Sequence, residues 1–287
     1  MLAPGPRAAP AGWSGSHASV GDDVLIAQLS DLHVGGARFD PAVLRMAVEE
    51  ICEAEPDLVV VAGDLTEDGY PDEQEAAAGA LAPLEGIRRV VIPGNHDARH
   101  VGWLFFEETF GPRETCFRER LGGLDVALVA LDTSKPDLDE GEVGREHYPW
   151  IDEHMASDAD VRIFVCHHHL VPIPRTGREA NQVRDAGDVL ALLSRRRVDL
   201  VLGGHRHVPW VWPLAGMLIV NSGTVSTYRA RGFRRPAYNL LMVDAETIDV
   251  ELRVPGGERR SMGAFPRAWP AALARSPDVL EVGQQPG

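Results

Sequence analysis

Five short stretches of this chain each close an apolar run with side chains that bind metals. They are Asp31-Leu32-His33 after VLIAQLS, Gly63-Asp64 after DLVVVA, Gly94-Asn95-His96-Asp97 after RRVVIP, His167-His168-His169 after RIFVC, and Gly204-His205-Arg206-His207 after VDLVLG. Apolar runs of this length read as buried strands, and in open α/β sheets ligands bind beyond the carboxyl ends of the strands. Five such ends converge on one place. Two Asp, one Asn and at least four His in one pocket make the ligand set of a dinuclear metal site, which points to hydrolysis of a phosphoester.

In Asp31-Leu32-His33 the alternating spacing places both side chains on one side of an extended segment, where one metal can take both. Taken alone, the triplet reads equally well as an Asp capping the next turn. Asp64, preceded by Gly63, brings a carboxylate close to two cations, each oxygen serving one. Asn95 offers a neutral amide oxygen, and the adjacent His96 points elsewhere along its loop and is left for substrate. Gly94 lets the backbone turn tightly. His205 and His207 repeat the same-side logic with two imidazoles. Three consecutive histidines cannot all face one pocket; His167, at the strand end, is the chosen ligand, with His168 as the fallback and His169 structural or substrate-facing.

The intervening pattern supplies the elements that hold these ends. Helices are expected over 41–54, 71–85, 144–158 and 187–197, with strands at 24–30, 57–63, 88–92, 125–132, 161–166 and 198–204. The strands are continuously apolar rather than alternating, so both sheet faces are covered. WLFFEETFG reads as a short helix and GPRETCFRERLGG as a loop with a strand. After residue 204 only strands follow, in HVPWVWPL, MLIVNSG, AYNLLMVDA and TIDVELRV. The expected architecture is a four-layered α/β/β/α sandwich of two mixed sheets, one from each half of the chain, with the site at the strand C-terminal ends. Residues 1–22 read as a leader, 23–255 as the domain and 256–287 as a tail rich in Gly, Pro, Ser and Arg.

The chain has 287 residues and a formal net charge of −15, a size for one large domain and a balance that repels long DNA or RNA. Cys52, Cys116 and Cys166 are odd in number and without paired spacing, which favours a reducing compartment, the cytoplasm. No apolar run reaches the ~18 residues of a membrane helix, and the leader lacks the apolar core of a secretory signal. The partner is a small phosphoester; a homo-oligomer is compatible with the sequence.

Other residues invite functional readings. Cys166 reads as a small buried strand residue. Arg195-Arg196-Arg197 closes a helix, where cations suit the dipole. His147 and His154 read as surface histidines, and Trp210 and Trp212 as sheet packing, one of them with a stacking role as the alternative. Arg175, Arg178, Arg229 and Arg231 lie in loops after ligand-bearing segments and could bind a phosphate or an anionic leaving group.

Together the five blocks D-x-H, GD, GNHD, H and GHxH, complete and in order, resemble the calcineurin-like metallophosphoesterases over residues 24–254. The length, the stretch after RIFVC and the GHRH block are similar to the cyclic-nucleotide and glycerophosphodiester phosphodiesterase branch. The resemblance implies one metal bound by Asp31, His33, Asp64 and His207 and a second by Asp64, Asn95, His167 and His205. It gives His96 the phosphate and the leaving oxygen. An acidic residue after GD often orients that histidine in the family; Glu67 stands there, where Asp is commoner. Mixed N/O ligation without thiolate suits two ions of Mn, Fe, Zn or Co. The expected activity is a phosphodiesterase on small phosphoesters, 3′,5′-cyclic nucleotides foremost. A phosphomonoesterase, a nucleotide pyrophosphohydrolase and a non-catalytic interaction scaffold of the same fold are the alternatives.

Overall fold

The computed structural model describes residues 22–156, 158–177, 181–228 and 235–268. The leader up to residue 21, the last nineteen residues of the expected tail, and Arg178, Arg229 and Arg231 lie outside them. Two six-stranded sheets face each other. The first runs β12-β11-β10-β1-β2-β3 and the second β4-β5-β6-β7-β9-β8. In the first sheet are β1 (Val24–Leu29), β2 (Leu58–Ala62), β3 (Arg89–Ile92), β10 (Tyr238–Val243), β11 (Thr247–Arg253) and β12 (Arg259–Pro266). In the second are β4 (Thr115–Leu121), β5 (Leu124–Ala130), β6 (Val161–Val165), β7 (Leu200–Gly203), β8 (Trp210–Leu214) and β9 (Met217–Asn221). Helices α1 (Pro41–Ala54), α2 (Pro71–Leu81) and α3 (Gly102–Phe110) cover the first sheet, and α4 (Tyr148–Met155) and α5 (Ala186–Arg195) the second.

The period-2 pleat divides each apolar run between two cores. Val24, Ile26, Leu58 and Val60 meet Val126, Leu128, Ile163 and Leu202 between the sheets. Their neighbours Leu25, Ala27, Val59 and Val61 face Leu44, Val48, Ile51 and Phe106 of the helices. On the other side Phe164, Val201 and Ile219 pack on Ile151, Val189 and Leu193. The four-layered sandwich follows directly. Helix α1 is specified at both ends: the Asp40 side chain accepts from the Ala42 and Val43 amides, Pro41 opens the first turn, and Glu55 closes it in a left-handed conformation. Its buried residues Leu44, Ala47, Val48 and Ile51 fall at the helical spacing.

Two expectations need correction. The sheets do not come one from each half: β8 and β9 stay with the second sheet, but β10 crosses back and pairs antiparallel with β1, Val24 opposite Val243. All of β10 is buried, so its composition carries no sign of which sheet it joins. The domain also runs past residue 255, because β12 pairs with β11 around a bulge at Val250/Glu251. That strand has the Arg, Ser and Gly content of a tail because it is a solvent-facing edge, where charged residues are common. Just beyond it, buried Arg267 donates to the Asp199 carboxylate at 3.0 Å and to the Asp244 carbonyl at 2.7 Å, tying this edge to the second sheet.

At the carboxyl ends of the parallel strands a polar clamp replaces apolar packing. Gln28 of β1 donates to the carbonyls of Gly203 and Val220, each at 3.0 Å, and accepts from Asn239 at 3.0 Å. Replacing Gln28 with Met should strand these buried groups and lower stability by about 1–3 kcal/mol, read by urea unfolding; an unchanged midpoint would show that the clamp is dispensable.

Candidate metal centre

Each of the five motifs lies two or three residues beyond a strand end: Asp31 after β1, Asp64 after β2, Asn95 after β3, His167 after β6 and His205 after β7. The first three belong to one sheet and the last two to the other, so the cluster forms where the sheets meet. The two carboxylates, Asn95 and the histidines His33, His96, His167, His205 and His207 are all buried, from 0% exposed at Asp31 and His167 to 8% at His205.

The loops that carry them are held by cross-sheet hydrogen bonds. The Asp31 carboxylate accepts from the His205 amide at 3.1 Å, and the His167 imidazole donates from Nδ1 to the Ala62 carbonyl at 2.7 Å. Thr224 and Ser226 donate to the carbonyls of Asp31 and Leu32 at 2.7 and 2.9 Å. Asp97 ties the GD loop to the GNHD loop by accepting from the Gly94 amide (2.8 Å), the Leu65 amide (3.1 Å), and the Thr66 amide and hydroxyl (2.9 and 2.7 Å). Burial and the nearby Asp64 charge push the Asp97 carboxyl up to about 6 despite these donors.

The side chains converge by a route that alternation does not describe. Asp31, His33, Asp64, His205 and His207 all have left-handed backbones, with φ of 56°, 52°, 53°, 72° and 56°. Residues that are not Gly rarely adopt this region, and such strain gathers at functional sites. The D-x-H and H-x-H pairs are therefore coiled turns, not the extended segments expected from their spacing.

Three groups of side chains have ligand atoms within 4.8 Å of one another and could hold a metal ion: Asp31, His33, Asp64 and His207; Asp64, His167 and His205; and His33, Glu67 and His96. Asp64 belongs to two of them. His207 Nε2 lies 3.2 Å from Asp31 Oδ1, His167 Nε2 3.3 Å from Asp64 Oδ2, and His205 Nδ1 3.0 Å from Asn95 Oδ1. His33 and His207 face each other through Nε2 atoms 3.0 Å apart. Because His33 turns Nδ1 to the Glu67 carboxylate at 3.0 Å, that pair needs a proton or a cation between the two nitrogens. His205 Nε2 is buried without a hydrogen bond. These donors fit a metal pair better than they fit one another.

Burial opposes charge on Asp64, but His167 and His96 outweigh it and hold the carboxyl well below its usual range. Asp31 is also lowered, its burial overcome by His207. For His167, burial works against protonation, yet the charge of Asp64 and its contact raise the imidazole to about 9. Burial drives His205 and His168 well below the usual imidazole value, and lowers His33.

Of the three consecutive histidines, His167 reaches Asp64, whereas His168 turns Nδ1 to the Thr133 hydroxyl at 2.8 Å. The His169 ring stacks on His205 with centroids 5.6 Å apart. Cys166 packs in the outer core with Sγ 3.3 Å from the His168 carbonyl, its thiol pushed up to about 12 by burial. Glu67 orients His96 by its main chain: His96 Nδ1 donates to the Glu67 carbonyl at 2.6 Å, while the Glu67 carboxylate serves His33. The supporting residues Thr66, Thr133, Thr224 and Ser226 were not apparent from sequence, since a lone hydroxyl has no spacing signal. Arg206 sends its guanidinium away to the carbonyls of Thr176 and Gly177 at 2.8 and 2.6 Å.

A family model described as calcineurin-like phosphoesterase matches residues 24–209. The chain belongs to the calcineurin-like phosphoesterase family. It is 29% identical over 203 residues to a probable cyclic nucleotide phosphodiesterase of Synechococcus, covering 65% of this chain and 74% of that one. It is 27% identical over 266 residues to a cAMP/cGMP dual specificity phosphodiesterase of Mycobacterium tuberculosis, covering 85% and 83%. A dimetal phosphatase from Danio rerio shares the fold with a TM-score of 0.63 at 13% identity, covering 83% of this chain and 98% of that one. This calcineurin-like phosphoesterase is a metal-dependent phosphoric ester hydrolase. No helix among the described residues is long and apolar enough to cross a membrane.

Two outcomes follow from this geometry. A Cβ on Gly94 would fall 2.3 Å from Asp64 Oδ1 and 2.8 Å from His167 Nε2, so Gly94→Ala should lower metal content and turnover together while the far-UV circular dichroism stays native. Any metal held through His167 must also displace the proton kept there up to about pH 9. Calorimetry of metal binding at pH 7.5, in buffers of different ionisation enthalpy, should register release of about one proton at the group that includes His167, and affinity there should weaken as pH falls.

Proposed function

We propose that this phosphoesterase hydrolyses small phosphodiesters, 3′,5′-cyclic nucleotides foremost, at a dinuclear centre. Asp31, His33, Asp64 and His207 hold one ion, and Asp64, Asn95, His167 and His205 hold the other. The observation that carries this reading is the placement of Asp64 in both ligand groups, the position a shared carboxylate requires. Manganese, iron, zinc or cobalt suits the mixed N/O donors.

When bound, a pair of such cations supplies Lewis-acid polarisation of the phosphoryl oxygens and lowers the pKa of water toward about 7. The chain's own groups do the rest. Glu67 fixes the His33 ring and the Ala62 carbonyl fixes His167, so each imidazole presents its other nitrogen to the cluster. His96 keeps Nδ1 on the Glu67 carbonyl, which leaves Nε2 as the atom that would take up a proton from water and pass it to the departing ester oxygen. Asn95 contributes an oxygen without adding charge beside the phosphate. The two relatives described above are named for cyclic nucleotides, and this supports the diester reading over a monoesterase or a pyrophosphohydrolase. The unpaired Cys52, Cys116 and Cys166 suit a reducing compartment, the cytoplasm.

Metal-loaded protein should cleave bis-p-nitrophenyl phosphate and 3′,5′-cyclic AMP faster than p-nitrophenyl phosphate, as measured by kcat/KM. A preference for the monoester would falsify the diesterase assignment, and absence of both turnover and bound metal would favour an interaction scaffold. Asp64→Ala should abolish metal content and turnover together, whereas His96→Ala should reduce kcat by about 10²–10⁴-fold with metals retained. Loss of metal in the His96 variant would overturn the division of roles between Asn95 and His96.

A further inference from the structure

Beside His96 stands a residue that none of the five motifs includes. Arg99 follows it by three positions and turns its guanidinium back over the imidazole, with Nη2 3.1 Å from His96 Nε2. The head is anchored on its other side, where Nη1 donates to the Glu67 carbonyl at 2.9 Å and to the Asp68 carboxylate at 2.8 Å. His96 already donates its Nδ1 proton to the Glu67 carbonyl; its Nε2 is therefore the acceptor that Arg99 caps. His96 in turn meets His33 edge to face, with ring centroids 4.5 Å apart. A permanent cation thus lies one ring away from the ligand groups. The Arg99 side chain remains 28% exposed and Asp68 44%, so this contact sits at the rim, open to an arriving anion.

We infer that Arg99 is a substrate-contacting residue that grips a non-bridging oxygen of the phosphoryl group on the His96 side. The planar fork of a guanidinium matches phosphate geometry, and the chain is otherwise strongly acidic, with a net charge of −15. When the anion enters, Nη2 exchanges the His96 nitrogen for a phosphate oxygen, and Nη1 keeps the Glu67 carbonyl while it gives up the Asp68 carboxylate. The exchange uncovers Nε2 of His96, which in the substrate-free site is closed off by its neighbour. Arg99 therefore serves two ends at once, holding the substrate and admitting it to the imidazole only when an anion is present. Asp68 is the competitor that keeps the guanidinium parked between substrates.

The inference rests on the placement of substrate beside His96 proposed above, and the test separates the two. Calorimetric binding of inorganic phosphate to metal-loaded protein needs no turnover, and KM for bis-p-nitrophenyl phosphate is measured beside it. Arg99→Ala should weaken phosphate binding and raise KM by about tenfold or more, with metal content unchanged. Asp68→Asn, which releases the same guanidinium from its carboxylate, should leave phosphate binding unchanged or tighter. The inference is overturned if Arg99→Ala binds phosphate like the parent, if it loses metal, or if Asp68→Asn weakens phosphate binding as much as Arg99→Ala does. A parent protein that binds phosphate through Arg99 but cleaves no phosphodiester would sink the diesterase reading and leave this one standing.

Discussion

A carboxylate with almost no access to water dictates the design of this site. Asp64 is 1% exposed, and an isolated ionised group there would be very costly. It stays ionised because imidazoles surround it and because the His96 amide donates to its Oδ1 at 2.9 Å. The consequences spread outward. His167 is pulled toward protonation by that charge, and Asp97, buried and forced to share the region, is pushed toward its neutral acid. The backbone has to be thin on both sides, since Gly63 and Gly94 stand where any side chain would strike His167 or Asp64. Removing one imidazole would leave the negative charge under-compensated, and the network must be satisfied as a unit.

The sandwich meets this demand by dividing it. The first sheet delivers the carboxylates and the amide, and the second delivers His167, His205 and His207. Neither sheet alone holds either of the two groups that share Asp64, so that cluster exists only when the two sheets are in register. Gln28 fixes that register at the site end and Arg267 at the opposite edge, both by hydrogen bonds that reach from one sheet to the other. Between them the contact is apolar, with Val60, Leu128, Ile163 and Leu202 at its centre.

Much of this was legible in the residues. Helix α1 was readable to its ends because Asp40 and Pro41 mark its start and its buried face keeps the helical spacing. The five candidate blocks were readable as a cluster because each sits where an apolar run stops. What stayed hidden has physical causes. No spacing rule distinguishes a left-handed Asp or His from an extended one, so the turns at Asp31 and His207 were mistaken for pleated segments. Strand β10 is buried throughout and mostly apolar, and would suit either sheet, while β12 is polar because it lies at an edge. Glu67 was readable as a partner of His96, but the choice between its carbonyl and its carboxylate is a matter of three-dimensional position alone.

The return of β10 to the side of β1 has a consequence for how the protein is made. Strand β1 is translated well before one of its two neighbours, β10, which emerges after all five motif segments. Until then the nascent chain carries an open, largely apolar strand margin of the kind that invites intermolecular pairing. The ladder that seals β1 thus waits on a strand made long after it, and β11 and β12 can extend that sheet only once β10 is in place.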